Sequence, residues 1–151
     1  MHTTFEINHT SRNVISKFLD NYTLEQLNKV PEGFANNLIW NIGHIVVVQQ
    51  MLVYKLSGLN MMVSDEMVEK YKRGSKPEAP VSQAEIDEIR KLLFATLEQA
   101  KEDFANDIFD EYMEFTTMSG FTIKNAKAAM EFNNYHEATH TGIMMQIRKF
   151  L

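Results

Sequence analysis

FANNLIWNIGHIVVVQQMLVY, residues 34–54, runs for 21 positions without a charged side chain. A membrane span, a buried strand or a buried helix could each absorb such a run. The stretch carries Asn36, Asn37, Asn41, His44, Gln49 and Gln50, more polar groups than the middle of a spanning helix tolerates. Read alone, Ile45-Val46-Val47-Val48 suits a strand. The apolar pattern around it extends from about Asn36 to Ser57, just before Gly58, which is the length of a helix. The run therefore predicts a buried helix in a soluble protein, with no membrane as partner.

Working outward, the rest of the chain repeats the helical period. Val14, Ile15, Phe18, Leu19 and Tyr22 share a face and predict a helix from about Thr10 to Tyr22. The next segment, TLEQLNKVPEGFAN, contains Pro31 and Gly33 and reads as a connection. Ser82, with Glu85 three residues on, forms a capping-box pattern. It opens a helix whose buried face is Ile86, Ile89, Leu93, Leu97, Ala100 and Phe104. Between Gly58 and Val81 the pattern allows a short helix at Asp65–Lys72. It then breaks down at Arg73-Gly74-Ser75-Lys76-Pro77, a loop that borders a pocket or is a plain solvated linker. Asp107–Phe115 reads as a short helix or an irregular crossing, and Gly120 as a break. A last helix runs from about Thr122 to the C-terminus on the stripe Ala126, Ala129, Met130, Asn133, Ile143, Met144, Ile147 and Leu151. His136 and His140 fill the gap in that stripe. Four long helical segments without a repeat predict an all-α protein, a four-helix bundle in one domain over residues 1–151.

Composition narrows the chemistry. The chain has no cysteine, so disulfides, thiolate ligands and a cysteine nucleophile are out of reach, and a metal must be held by imidazole or carboxylate. A net charge of -5 and the lack of a basic stretch argue against nucleic acid as partner. The ten methionines read as filler of a helical core. The N-terminal MHTTFEINHTSRN has no apolar segment of signal-peptide type, which predicts a cytoplasmic protein.

His136 and His140 are one helical turn apart, about 400° of rotation, so their imidazoles leave the same face. His44 lies in the uncharged stretch, where a lone imidazole needs a partner, and Gly43 beside it would let another helix approach. These three can ligate one divalent ion. Each also has an ordinary reading, as a hydrogen-bonded core or surface histidine. His2 is terminal and His9 lies off the apolar face, so both are assigned to the surface. His136-Glu137-Ala138-Thr139-His140 matches the H-E-x-x-H pattern of zinc peptidases, with Glu137 as possible general base. Only eleven residues follow His140 and none is His, Asp or Glu, so the third ligand such a peptidase takes downstream is missing. Glu137 remains a candidate for proton handling, pointing about 100° away from His136 along the helix. Trp40, Met51, Tyr135 and Phe121 are candidate substrate-binding walls, or plain core.

Ile39-Trp40-Asn41-Ile42-Gly43-His44-Ile45 resembles the W-x-x-G-H signature of the DinB/YfiT-like superfamily. His136-Glu137-Ala138-Thr139-His140-Thr141-Gly142 resembles its H-x-x-x-H-x-G signature. Arg148 falls where the family tends to carry arginine, whereas Ile143 stands where it often has glutamine. The resemblance covers essentially the whole chain. It implies a four-helix bundle in an up-down-down-up arrangement and one metal ion, zinc or nickel, on His44, His136 and His140. It also implies a homodimer. Known activities of similar proteins imply a transferase that uses a low-molecular-weight thiol on a small electrophile. An open coordination position serves equally well for a metal-dependent hydrolase of small molecules. A non-enzymatic, stress-related binding or structural dimer is the reading from outside enzymology.

Overall fold

A computed structural model describes all 151 residues. The fold is all-α, with six helices in chain order and one two-stranded ribbon: α1 (His2–Asn21), α2 (Leu24–Asn28), α3 (Leu38–Val53), α4 (Asp65–Tyr71), α5 (Gln83–Ala105), β1 (Phe115–Thr116), β2 (Thr122–Ile123) and α6 (Ala126–Ile147). Short 3-10 turns follow α3 and α6. Helix α3 packs against α5 and most extensively against α6, and α1 packs against both α5 and α6. No helix is long and apolar enough to cross a membrane.

Helix α3 is the uncharged run. Asn37 caps it by accepting from Trp40 N, which satisfies one of the donors a helix start leaves free. Of its 16 residues, 14 are buried, which is why its β-branched Ile-Val-Val-Val segment stays helical: a helix apolar on all sides is stabilised by enclosure rather than by propensity. Gly43 is where α4 comes close. A Cβ at Gly43 would lie 2.6 Å from a ring carbon of Tyr71.

Several boundaries differ from the sequence reading. Helix α1 starts at His2, eight residues before Thr10, because its buried face continues through Phe5, Asn8 and Arg12, two of which are polar and invisible to an apolar count. The connection after α1 contains α2, closed by a true capping box in which Thr23 and Gln26 exchange side-chain and backbone bonds. At α5, Ser82 caps Glu85 N, but the box is incomplete: the Glu85 carboxylate binds Lys70 and Tyr71 instead. Residues 107–114 form no helix, and the segment ends in β1. The last helix begins at Ala126 rather than Thr122, since Thr122 and Ile123 pair antiparallel with Phe115 and Thr116 and Asn125 supplies the cap. Gly120, at φ +84, turns the ribbon.

The deepest polar feature joins α1, α5 and α6. Arg12 and Glu137 are both fully enclosed and form an ion pair of 2.9 Å. The guanidinium also donates to Thr96 Oγ1 at 2.8 Å and to the Leu93 carbonyl. Asn133 Nδ2 donates to the same carboxylate oxygen, Glu137 Oε1, at 2.8 Å. Glu137, and not the two histidines beside it, thus completes the buried stripe of α6, while His136 and His140 sit half-buried at its edge.

Candidate metal centre

His44 comes from α3, and His136 and His140 from successive turns of α6, so the most extensive helix contact brings the three together. Each offers one ligand nitrogen, and these atoms lie within 4.8 Å of one another. The Nε2 atoms of His44 and His136 are 3.2 Å apart. Tetrahedral bonds of roughly 2.0–2.1 Å to one ion would separate two ligands by about 3.3 Å.

Neighbouring groups fix the tautomers. The Tyr71 carbonyl can only accept, so His44 Nδ1–H donates to it, at 2.6 Å. Asn41 Nδ2 donates to Asn36 Oδ1 and to the Asn37 carbonyl. That leaves Asn41 Oδ1 to accept from His140 Nδ1–H at 2.8 Å. Both rings therefore keep a lone pair on Nε2, the form a cation needs, with an outer hydrogen bond that orients the ring. His136 Nδ1 is buried without a partner, so this ring alone lacks such an anchor. Trp40 stacks on His44, with centroids 4.7 Å apart and planes at 14°.

All three imidazoles are neutral at physiological pH. Burial lowers His136 to about 3, helped by repulsion from His140 and His44. Burial and then His44 lower His140 to about 4. Burial lowers His44 as well, against the raising effect of its bond to Tyr71. The donor set fits a borderline-soft divalent ion such as zinc or nickel. It contains no carboxylate, so the ion's positive charge would stay uncompensated by the protein.

A cavity of about 260 Å³ opens beside the histidines. His44 and His136 form part of its wall, with Val48, Met51 and Phe132 as apolar neighbours and Arg73 as its one cation. Val48 and Met51 are the only two residues of α3 that are not buried. The 115–119 segment covers another side of the cavity. Of the expected walls, Met51 lines this cavity, whereas Trp40 lies behind His44. Phe121 and Tyr135 line a separate shallow depression that shares Phe132 with it. Tyr135 precedes His136 by one position, about 100° around the helix, and is 62% exposed. The same rotation carries Glu137 into the core, where Oε1 accepts from Arg12 and Asn133, and Oε2 has no partner.

Three contributors escaped the sequence reading. Asn41 was detectable, as an amide in an uncharged helix one turn before His44. Tyr71 acts through its backbone carbonyl, which no side-chain pattern reports. Arg73 lay in the breaker-rich loop flanked by other charges, and that loop does border a pocket.

A search of the curated proteins found no match to this chain. A family model for the DinB superfamily matches residues 8–144, which contain the Trp40–His44 and His136–Gly142 segments, and the chain belongs to the DinB superfamily.

Proposed function

We propose that this chain is a metal-dependent enzyme that joins a low-molecular-weight thiol to a small electrophile, with one zinc or nickel ion on His44, His136 and His140. The observation that carries the reading is the convergence of three neutral imidazoles, two of which, His44 and His136, line a largely apolar cavity. A divalent ion held by these residues would supply Lewis acidity that favours the thiolate form of a thiol co-substrate near its target. The chain's own residues do the rest. Tyr71 and Asn41 hold two of the rings in place, and Met51 and Phe132 exclude water from the reacting ends. No carboxylate lines the cavity, and Glu137 is committed to Arg12, so a protein base for hydrolysis is lacking. That favours thiol transfer over ester or amide cleavage. The reading includes a single domain over residues 1–151, the up-down-down-up four-helix arrangement of α1, α3, α5 and α6, a homodimer and a cytoplasmic site of action.

The test begins with elemental analysis of the purified protein. The metal-loaded form is then incubated with a chloro- or epoxide-type electrophile with and without thiols, beside simple esters and amides. Thiol-dependent turnover that vanishes in His140→Ala is the expected result. Cleavage of esters regardless of thiol would assign a hydrolase. A fully metallated protein inert in every condition would assign a binding or structural role.

A further inference from the structure

We infer that the cavity beside His44 and His136 selects an organic anion, a small molecule with an apolar body and one carboxylate-type group, and that Arg73 holds that group. The inference names the substrate class of the site proposed above and rests on that reading.

The first support is how the Arg73 segment is held. Arg73 follows α4 in a five-residue stretch bound to the histidine site at both ends. Its first residue, Tyr71, accepts from His44 Nδ1–H at 2.6 Å. Its last, Ser75, accepts from Trp40 Nε1–H at 3.1 Å, and Trp40 in turn stacks on His44. Ser75 Oγ folds back on the Lys70 and Lys72 carbonyls, and Gly74, at φ +89, takes the left-handed turn that the tight return needs. The loop is thus built onto the ring that faces the cavity.

Charge is the second support. Lys70 pairs with Glu85 and Lys72 with Glu69, whereas Arg73 makes no ion pair and no side-chain hydrogen bond within the chain. It is the only charged residue in the cavity wall, which contains no Asp or Glu, in a protein of net charge -5. An unopposed guanidinium beside an apolar space favours a ligand that brings the missing negative charge, and its fork matches a carboxylate in bidentate fashion. A cation on three neutral imidazoles adds to the same positive field. Most of the remaining wall is apolar, with Val48, Met51, Leu52, Phe115, Met118 and Phe132, which sets the body of the ligand as hydrocarbon or aromatic.

The test uses phenylacetate and its neutral counterpart phenylacetamide as probes. Each is titrated calorimetrically into wild type, Arg73→Gln and Arg73→Lys, in zinc-loaded and metal-free forms, with circular dichroism to check folding. The expected result is preferential binding of phenylacetate, weakened about tenfold or more in Arg73→Gln and less in Arg73→Lys, with phenylacetamide unchanged. Arg73-dependent preference in the metal-free form sustains the inference even if zinc fails to bind, an outcome that would defeat only the metal reading. Equal binding of the two probes, full phenylacetate affinity in Arg73→Gln, or no binding by wild type would overturn it.

Discussion

Removing one member of the Arg12–Glu137 pair should be the most damaging single change in this core outside its large apolar side chains. Both groups have no exposed surface, so Glu137→Ala leaves a guanidinium in the interior with only Thr96 Oγ1 and the Leu93 carbonyl as acceptors. Stranding a buried charge in this way costs about 3–5 kcal/mol. At about 2–4 °C per kcal/mol for a domain of this size, the melting temperature should fall by roughly 6–20 °C. Arg12→Met strands the Glu137 carboxylate, which keeps one donor, Asn133 Nδ2, and should cost a similar amount. The double variant Arg12→Met/Glu137→Leu removes both charges and should lose clearly less than the sum of the two, because apolar replacement of a whole buried pair is often neutral. Urea unfolding followed by circular dichroism measures all four proteins. Single variants within about 1 kcal/mol of wild type, or losses that simply add, would refute the reasoning.

Gly43→Ala should destabilise the protein by about 1–3 kcal/mol through overpacking, despite alanine's better helix propensity. The atoms its Cβ meets belong to the Tyr71 ring, whose hydroxyl is tied to Glu85. The same shift disturbs the carbonyl that orients His44, so zinc affinity, read by chelator competition, should fall with it. Asn41→Leu removes the acceptor for His140 Nδ1–H and should weaken zinc binding by about 10–100-fold with α3 intact by circular dichroism. The metal-free protein should lose stability as pH falls from about 6.5 toward the lowered values near 4 and 3 of His140 and His136. In that window the unfolded chain binds protons that the folded one refuses. His136→Asn should flatten this slope in acid titrations of the melting temperature, and an unchanged slope would discredit the buried neutral imidazoles.

The histidine cluster was legible in sequence because its signals were local: a four-residue histidine spacing, and a histidine in a stretch with no charge to explain it. Helix α5 was legible for the same reason, with a cap at Ser82 and an unbroken apolar stripe. What escaped depends on partners distant in sequence. Asn8 and Arg12 are core residues of α1, but Arg12 belongs there only because Glu137, 125 positions away, meets it; with two polar residues in succession on the buried face, the stripe could not be followed back from Ile15 to Phe5. The periodicity of α6 could not separate His136 from Glu137 as the inward group, because adjacent positions differ by only about 100° and the choice rests on which has a buried counter-charge. The strand pairing that delays α6 to Ala126 involves just two residues on each side, too few for an alternation pattern.

Tyr71 takes part in two events at once. Its ring seats α4 on Gly43, and its carbonyl aligns His44. By thermodynamic reciprocity, whatever free energy the aligned ring gives to cation binding must return as resistance of α4 to local opening. An ion on the three histidines would thus clamp residues 65–75 without touching them. Backbone amides of α4 and its C-cap, such as Val68 N and Lys72 N, should exchange with solvent deuterium more slowly once the ion is bound.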